Sequence, residues 1–208
     1  MRVLIVTGLA VVATLAVSPA AVAAGQQAAA QTKMITVPGI RQPFSEADVY
    51  FMSGMIPHHA QAVVMARMAP GRAEHRMVKL LAERILVSQK DEIELMRTWL
   101  SDRGQEVPAA DATHHKMKHG DMVHDMLMPG MLTPEQLKKL ESSKGKEFDR
   151  LFLTFMIGHH EGALKMVEDL FKSTGAAQDD DVYKFASDVQ ADQEMEIDRM
   201  QQLLAEIK

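Results

Sequence analysis

The chain has 208 residues, a length for one domain or at most two small ones, and at 47% hydrophobic and 25% charged it can bury a core. Its formal net charge of -5 argues against a general nucleic-acid binder, which needs a basic patch. Cysteine is absent, which removes disulfides, thiolate nucleophiles, cysteine zinc sites and iron–sulfur clusters, whereas methionine (17) and histidine (9) are abundant.

In chain order, residues 1–24 read MRVLIVTGLAVVATLAVSPAAVAA. Arg2 gives a basic start, and Val3–Val17 is an apolar run too short to span a bilayer comfortably. Ala21-Val22-Ala23 is the small-x-small pattern that precedes a signal-peptidase cut. The expectation is a signal peptide over residues 1–23, with a retained N-terminal anchor as the alternative. No other apolar run approaches membrane length, so the mature chain is expected in the periplasm with no membrane segment. The lack of cysteine fits an oxidising compartment. Residues 24–44, rich in Gln, Ala, Pro and Gly, read as a flexible leader, and 45–208 as one domain.

From Ser45 the apolar residues recur at three- and four-residue spacing. Ser45 is placed to cap a first helix, with Glu46 and Asp48 in its first turn, running to about Ala69 before Pro70-Gly71. A second helix is expected from about Arg72 to Arg103, stopped by Gly104. After a linker, Thr133-Pro134-Glu135-Gln136 is a capping-box start with Pro at the first helical position. That helix continues to about Thr174, with a break near 142–145, and a last helix covers about Asp179–Ile207. No alternating strand pattern stands out.

The two halves match. Phe51-Met52-Ser53-Gly54-Met55-Ile56-Pro57-His58-His59 aligns with Phe152-Leu153-Thr154-Phe155-Met156-Ile157-Gly158-His159-His160, and Ala62 and Met65 align with Ala163 and Met166 at the same offset. Gln89-x-x-Glu92-Ile93-x-x-Met96-x-x-Trp99-Leu100 matches Gln193-x-x-Glu196-Ile197-x-x-Met200-x-x-Leu203-Leu204. Two similar helical hairpins, each with an apolar face, pack on one another, so the expected fold is an all-α four-helix bundle.

The chemistry sits in the repeated Met-x-x-His-His boxes. Residues three, four and seven apart share a helix face, so Met55, His58, His59 and Met65 form one group of donors, and Met156, His159, His160 and Met166 a second. Two such faces opposed would gather four imidazoles and four thioethers. Imidazole suits copper, zinc, iron and nickel, and thioether selects soft copper(I); silver(I) is soft in the same sense. The alternative is that the methionines are core and the histidine pairs tie helices together. Pro57 and Gly158 hold the same place before each pair, and both weaken a helix.

Within the linker over 108–133, nine of the eighteen residues at 114–131 are His or Met: His114, His115, Met117, His119, Met122, His124, Met126, Met128 and Met131. A short His-rich tract suggests metal binding by composition, and so many methionines are hard to explain as solvated loop. The alternative is a flap whose methionines cover the bundle.

Other chemistries are poorly served. No Glu stands three residues before a His, so a ferritin-like di-iron centre lacks its Glu-x-x-His motifs. There is no His-Glu-x-x-His box, Gly-rich phosphate loop or Gly-x-Ser-x-Gly elbow, so no catalytic residue is assigned and the chain reads as a non-enzyme. Glu92 and Glu196 read as interhelix hydrogen-bonding or solvated groups.

Phe51–Met65, Gln89–Leu100, Met128–Leu137, Phe152–Met166 and Gln193–Leu204 together resemble the bacterial domain-of-unknown-function 305 family, over about residues 45–205. Leu203 departs from the family's Trp at the place matching Trp99. The resemblance implies a ferritin-like four-helix bundle, often exported. Some members resemble periplasmic proteins that take up copper(I) or silver(I) through Met and His and support copper tolerance. The partners expected are a metal ion and a copper-transfer protein, with nucleic acid excluded by the charge and an oligomer left open. The leading expectation is a periplasmic protein that sequesters, buffers or passes on copper(I). The competing one is an exported helical interaction module whose His-His boxes are structural; a copper oxidase ranks third.

Overall fold

Ser45 does begin a helix. Its hydroxyl accepts the Asp48 amide (3.1 Å) and its own amide donates to Asp48 Oδ2 (2.7 Å), so two of the end's orphan donors are satisfied reciprocally. The computed structural model describes residues 33–39, 42–119 and 122–207, with backbone alone for 116–119 and 122–125. The expected signal peptide and residues 24–32 lie outside the described residues.

Four long helices and one short one follow: α1 (Glu46–Arg72), α2 (Arg76–Asp102), α3 (Pro134–Ser142), α4 (Gly145–Lys172) and α5 (Asp180–Glu206). Helix α1 passes through both Pro57 and Pro70 and closes where the Ala73 amide bonds the Ala69 carbonyl. Helix α2 starts later than the periodicity suggests because Asp149 claims the preceding backbone: it accepts the amides of Glu74 (3.2 Å) and His75 (2.8 Å). Thr133 and Gln136 form the expected capping box of α3, and the expected break separates α3 from α4.

Two apolar clusters show how the helices run. One joins the first half of α1, the second halves of α2 and α4 and the first half of α5; the other joins the complementary halves. Helix α1 is therefore antiparallel to α2 and to α4, and α4 to α5, which is a four-helix bundle made of two hairpins. Among the described residues no helix is long and apolar enough to cross a membrane.

Two expectations need correction. The linker contains strands: β3 (His115–His119) pairs antiparallel with β4 (Met122–Met126). Its donor residues alternate with Lys, Val and Asp, a period of two that the richness in His and Met obscures. The end of the reputed leader is also structured. Met34–Ile35 (β1) pairs with Phe44–Ser45 (β2), and Phe44 is wholly buried, edge-on to Trp99 at 5.3 Å. Burying such a ring contributes about 1.5–3 kcal/mol toward ordering the segment.

Candidate metal-binding site

Where α1 crosses α4 the two His-His boxes meet. The rings of His58 and His159 lie 3.9 Å apart at their centroids, tilted by 40°. His59 and His160 stand 6.3 Å from their respective neighbours, so the four imidazoles form one buried layer across the bundle. The outer pair is tied down. His59 Nε2 donates to Glu92 Oε2 on α2 (2.5 Å), and His160 Nε2 to Glu196 Oε2 on α5 (2.8 Å). The repeated Gln-x-x-Glu motif thus supplies the carboxylate that orients each outer histidine.

Nδ1 of His59 and of His160 is nonetheless buried without a partner, and the inner pair shares this. His58 Nε2 donates to the Pro129 carbonyl (3.0 Å), which leaves its Nδ1 as an unpartnered lone pair. Neither nitrogen of His159 has a hydrogen-bond partner; the His58 carbonyl lies close enough to oppose the lowering of its pKa but makes no well-aligned bond. Burial, then the field of His59, lowers the pKa of His58 to about 3. Burial, then the field of His58, holds His159 well below the usual imidazole range. Both rings are neutral at ordinary pH, which is the metal-ligating form. Among the described residues no three His, Asp or Glu side chains are spaced to hold an ion.

The thioethers do not converge on the layer as four. Met55 and Met166 lie in one apolar cluster and Met65 and Met156 in the other. The antiparallel crossing requires this, because Met55 and Met65 are about 15 Å apart along their own helix. Met65 and Met156 sit wholly buried among Phe148, Phe152 and Leu153, which is core packing. Met55 has different company, with Met52, Met96, Met128, Met131 and Met166 in its cluster.

The linker closes over the inner pair through the turn at Met128–Met131. Gly130, at φ +77°, lets the turn lie flat on α4, and a Cβ on Gly162 would fall 2.0 Å from the Pro129 oxygen. Gln61 fixes the far side, donating to the Leu132 carbonyl (2.9 Å) and accepting its amide (2.6 Å). The close approach to α4 is made by this turn, at Gly162. Gln61 and Gly162, which neighbour the repeated alanines, were not singled out.

Of the linker candidates, His114 is exposed, its Nδ1 3.3 Å from Thr113 Oγ1. His115 is buried edge-on against Tyr50 (5.4 Å), and that burial lowers its pKa. Met126 packs half-buried against the first cluster. The side chains of Met117, His119, Met122 and His124 lie outside the described residues. The backbone register, however, sets His115 opposite Met126, Met117 opposite His124 and His119 opposite Met122.

The molecule is thus a helical bundle with a buried histidine layer, a methionine-containing apolar cluster and a turn closed over the layer. The model of the domain of unknown function DUF305 matches residues 48–204, and the chain belongs to that family. Among solved structures it is similar to the "putative secreted protein DUF305" from Streptomyces coelicolor, at 28% identity and a TM-score of 0.63, covering 77% of this chain and 93% of that one. A DUF305 fragment from Deinococcus radiodurans is 25% identical with a TM-score of 0.64, covering 79% and 99%. CopM in its Cu(I)-bound form is 29% identical with a TM-score of 0.58, covering 76% and 96%; it has also been solved in Cu(II)-bound, Ag-bound and apo forms. Among curated proteins, Uncharacterized protein L153 of Acanthamoeba polyphaga mimivirus is 36% identical over 70 residues, 34% of this chain. The chain spans about half the length of that relative (46%).

Proposed function

We propose that the protein is an exported, periplasmic binding protein for copper(I), and for silver(I) through the same donors, that sequesters the ion, buffers it or passes it to a transfer partner. The observation that carries this reading is the inner pair, His58 and His159, neutral and buried with three of its four ring nitrogens unpartnered, in a bundle that also gathers thioethers into one cluster. Buried polar atoms without partners are costly, and an ion that accepts one lone pair from each ring accounts for two of the three. Thioether beside imidazole selects copper(I) over harder ions. The likeness to CopM, solved with Cu(I) and with Ag, supports the same reading. The protein acts as a binder and not as an enzyme.

A second reading makes the His-His boxes structural and the chain an interaction module. It is favoured by the outer pair, because His59–Glu92 and His160–Glu196 each tie a hairpin together. Under the copper(I) reading these carboxylates orient the outer histidines, whose Nδ1 atoms stay unpartnered like that of His58.

The test is an anaerobic titration of the purified protein with copper(I) against a chromogenic chelator. Competition at whole-number stoichiometry is expected. Failure to compete overturns the copper(I) reading and leaves the interaction module.

A further inference from the structure

We propose that the cleft between α2 and α5 is a docking site for a partner protein, and that it takes a basic amphipathic helix. This goes beyond the copper(I) reading and does not depend on it. Helix α1 packs closely on α2 and on α4, and α4 on α5, but α2 and α5 scarcely approach each other. Between their Trp99 and Phe185 turns they leave a cavity of about 500 Å³. Trp99 and Phe185 form its floor, each 4% exposed, and Leu95 stands in its wall at 46%. An apolar side chain entering there covers all three.

The rim decides the occupant. Glu94 and Asp102 stand on the α2 side, and Asp181 and Asp188 on the α5 side. The two cations in the wall are already engaged: Arg103 pairs with Asp179 (2.6 Å) and more loosely with Asp181 (3.5 Å), and Lys184 pairs with Asp188. Arg97 reaches Glu94 (3.7 Å) but also donates to the Pro108 carbonyl. The rim therefore keeps a net negative charge. Helix α5 carries eight carboxylates and two cations, a larger excess than the -5 of the whole chain. A second copy is a poor occupant, because a two-fold contact would set this rim against itself. A basic partner is the complementary one.

Further along, the cleft supplies its own cation. Arg84 of α2 reaches Glu196 of α5 (3.7 Å), and Arg103 closes the other end on Asp179. Between these two bridges α2 and α5 make no ion pair among the described residues. Asp192 lies on that stretch of α5, its carboxyl pKa raised by burial first and then by Glu92 and Glu196. Those are the carboxylates that hold His59 and His160, so a partner in the cleft lies beside the histidine layer. The internal repeat sharpens the contrast. The counterparts of Asp188 and Leu95 are Arg84 and Arg199, so the cavity has a carboxylate and an apolar side chain where the matching positions have two guanidiniums.

The shape asks for a helix. Two antiparallel helices that stand apart leave a groove into which the side-chain ridges of a third fit. The wall from Glu94 to Arg103 is about 14 Å long, two and a half turns. An apolar stripe on such a helix meets Leu95, Trp99 and Phe185, and Lys or Arg on its flanks meets the two carboxylate rims.

The test uses the purified metal-free protein and a synthetic peptide of about 18 residues, five turns of helix, with leucine on one face and lysine on the rest. A scrambled peptide of the same composition and one with glutamate for lysine are the controls. Trp99 is the single tryptophan and lies on the cavity floor, so its emission reports occupancy, while amide shifts map the contact. Saturable binding that weakens with salt is expected, with movement of the Trp99 emission and of the Leu95 and Asp188 amides. Leu95→Lys should weaken it at least about tenfold, as loss of a buried anchor does. Tyr183→Lys, at an exposed position outside the cavity wall, should leave it nearly unchanged. Equal binding of the scrambled peptide would mean attraction of a polycation only. Amide shifts confined to other surfaces would place the contact elsewhere, and no binding would leave the cleft without an occupant. Each of these three results overturns the proposal, and none of them bears on the copper(I) titration.

Discussion

The imidazoles of His58 and His159 approach to 3.9 Å between centroids at the crossing of α1 and α4, and burial keeps both uncharged. This predicts how the metal-free protein responds to acid. Both folded-state pKa values are lowered, so below the ordinary imidazole value the unfolded chain binds more protons than the folded one. Stability is fully present above about pH 6.5 and is lost as pH falls below it, for His58 down to about 3. Urea midpoints measured across that window should drop steeply, and His159→Met should remove its share of the slope. A flat profile would show that the pair is not held neutral.

The outer histidines make a second prediction, about the carboxylates. Glu196 is nearly buried, with its side chain 8% exposed, whereas that of Glu92 is 23% exposed. Glu196→Ala strands the Nε2–H of His160 away from water and should cost about 1–3 kcal/mol. Glu92→Ala should cost less, because water reaches His59 more easily through the gap. Equal losses in a denaturant series would contradict this ranking.

The turn over the inner pair depends on two glycines in contact. Gly162→Ala places a methyl where the Pro129 oxygen now sits, and neither backbone has a flexible end to move aside. The turn should lift, costing about 1–3 kcal/mol as overpacking does. Hydrogen exchange at the Leu132 amide, now bonded to Gln61 Oε1 at 2.6 Å, should accelerate in this variant. Unchanged protection there would mean that the turn does not rest on Gly162.

How much of this was legible in the sequence depends on whether a signal was local. The Ser45 and Thr133 caps, the break before Gly145 and the repeated hairpins were readable, because capping and periodicity are written in neighbouring residues. The meeting of His58 with His159 followed from the repeat once two hairpins were opposed. What repeats cannot give is direction. Only the antiparallel crossing sends Met65 and Met156 to one end and Met55 and Met166 to the other. The Gly162 contact and the Tyr50–Met128 approach join residues distant in the chain, so no spacing announces them. The hairpin at β3 and β4 had a local signal, its strict alternation, which was masked by reading the tract for its donors alone.

A last prediction concerns the clamp at the other end of α2, which holds the methionine-rich half of the bundle together. Asp179 caps α5 by accepting the amides of Asp181 (3.1 Å) and Val182 (3.3 Å). The same carboxylate accepts Trp99 Nε1 (3.2 Å) and pairs with Arg103 Nη2 (2.6 Å). The Arg103 guanidinium in turn lies 4.3 Å from the centroid of the Trp99 ring, which packs on Phe44. Arg103 is only 7% exposed, so Asp179→Ala leaves its buried charge with only the longer contact to the exposed Asp181 (3.5 Å) and should cost up to about 3–5 kcal/mol. Asp179→Asn retains an acceptor for the cap and for Trp99 and should cost less. Trp99 is the single tryptophan, so its fluorescence reports this corner directly during urea unfolding. A loss within about 0.5 kcal/mol for Asp179→Ala, the size of an ordinary surface change, would mean that the clamp contributes nothing.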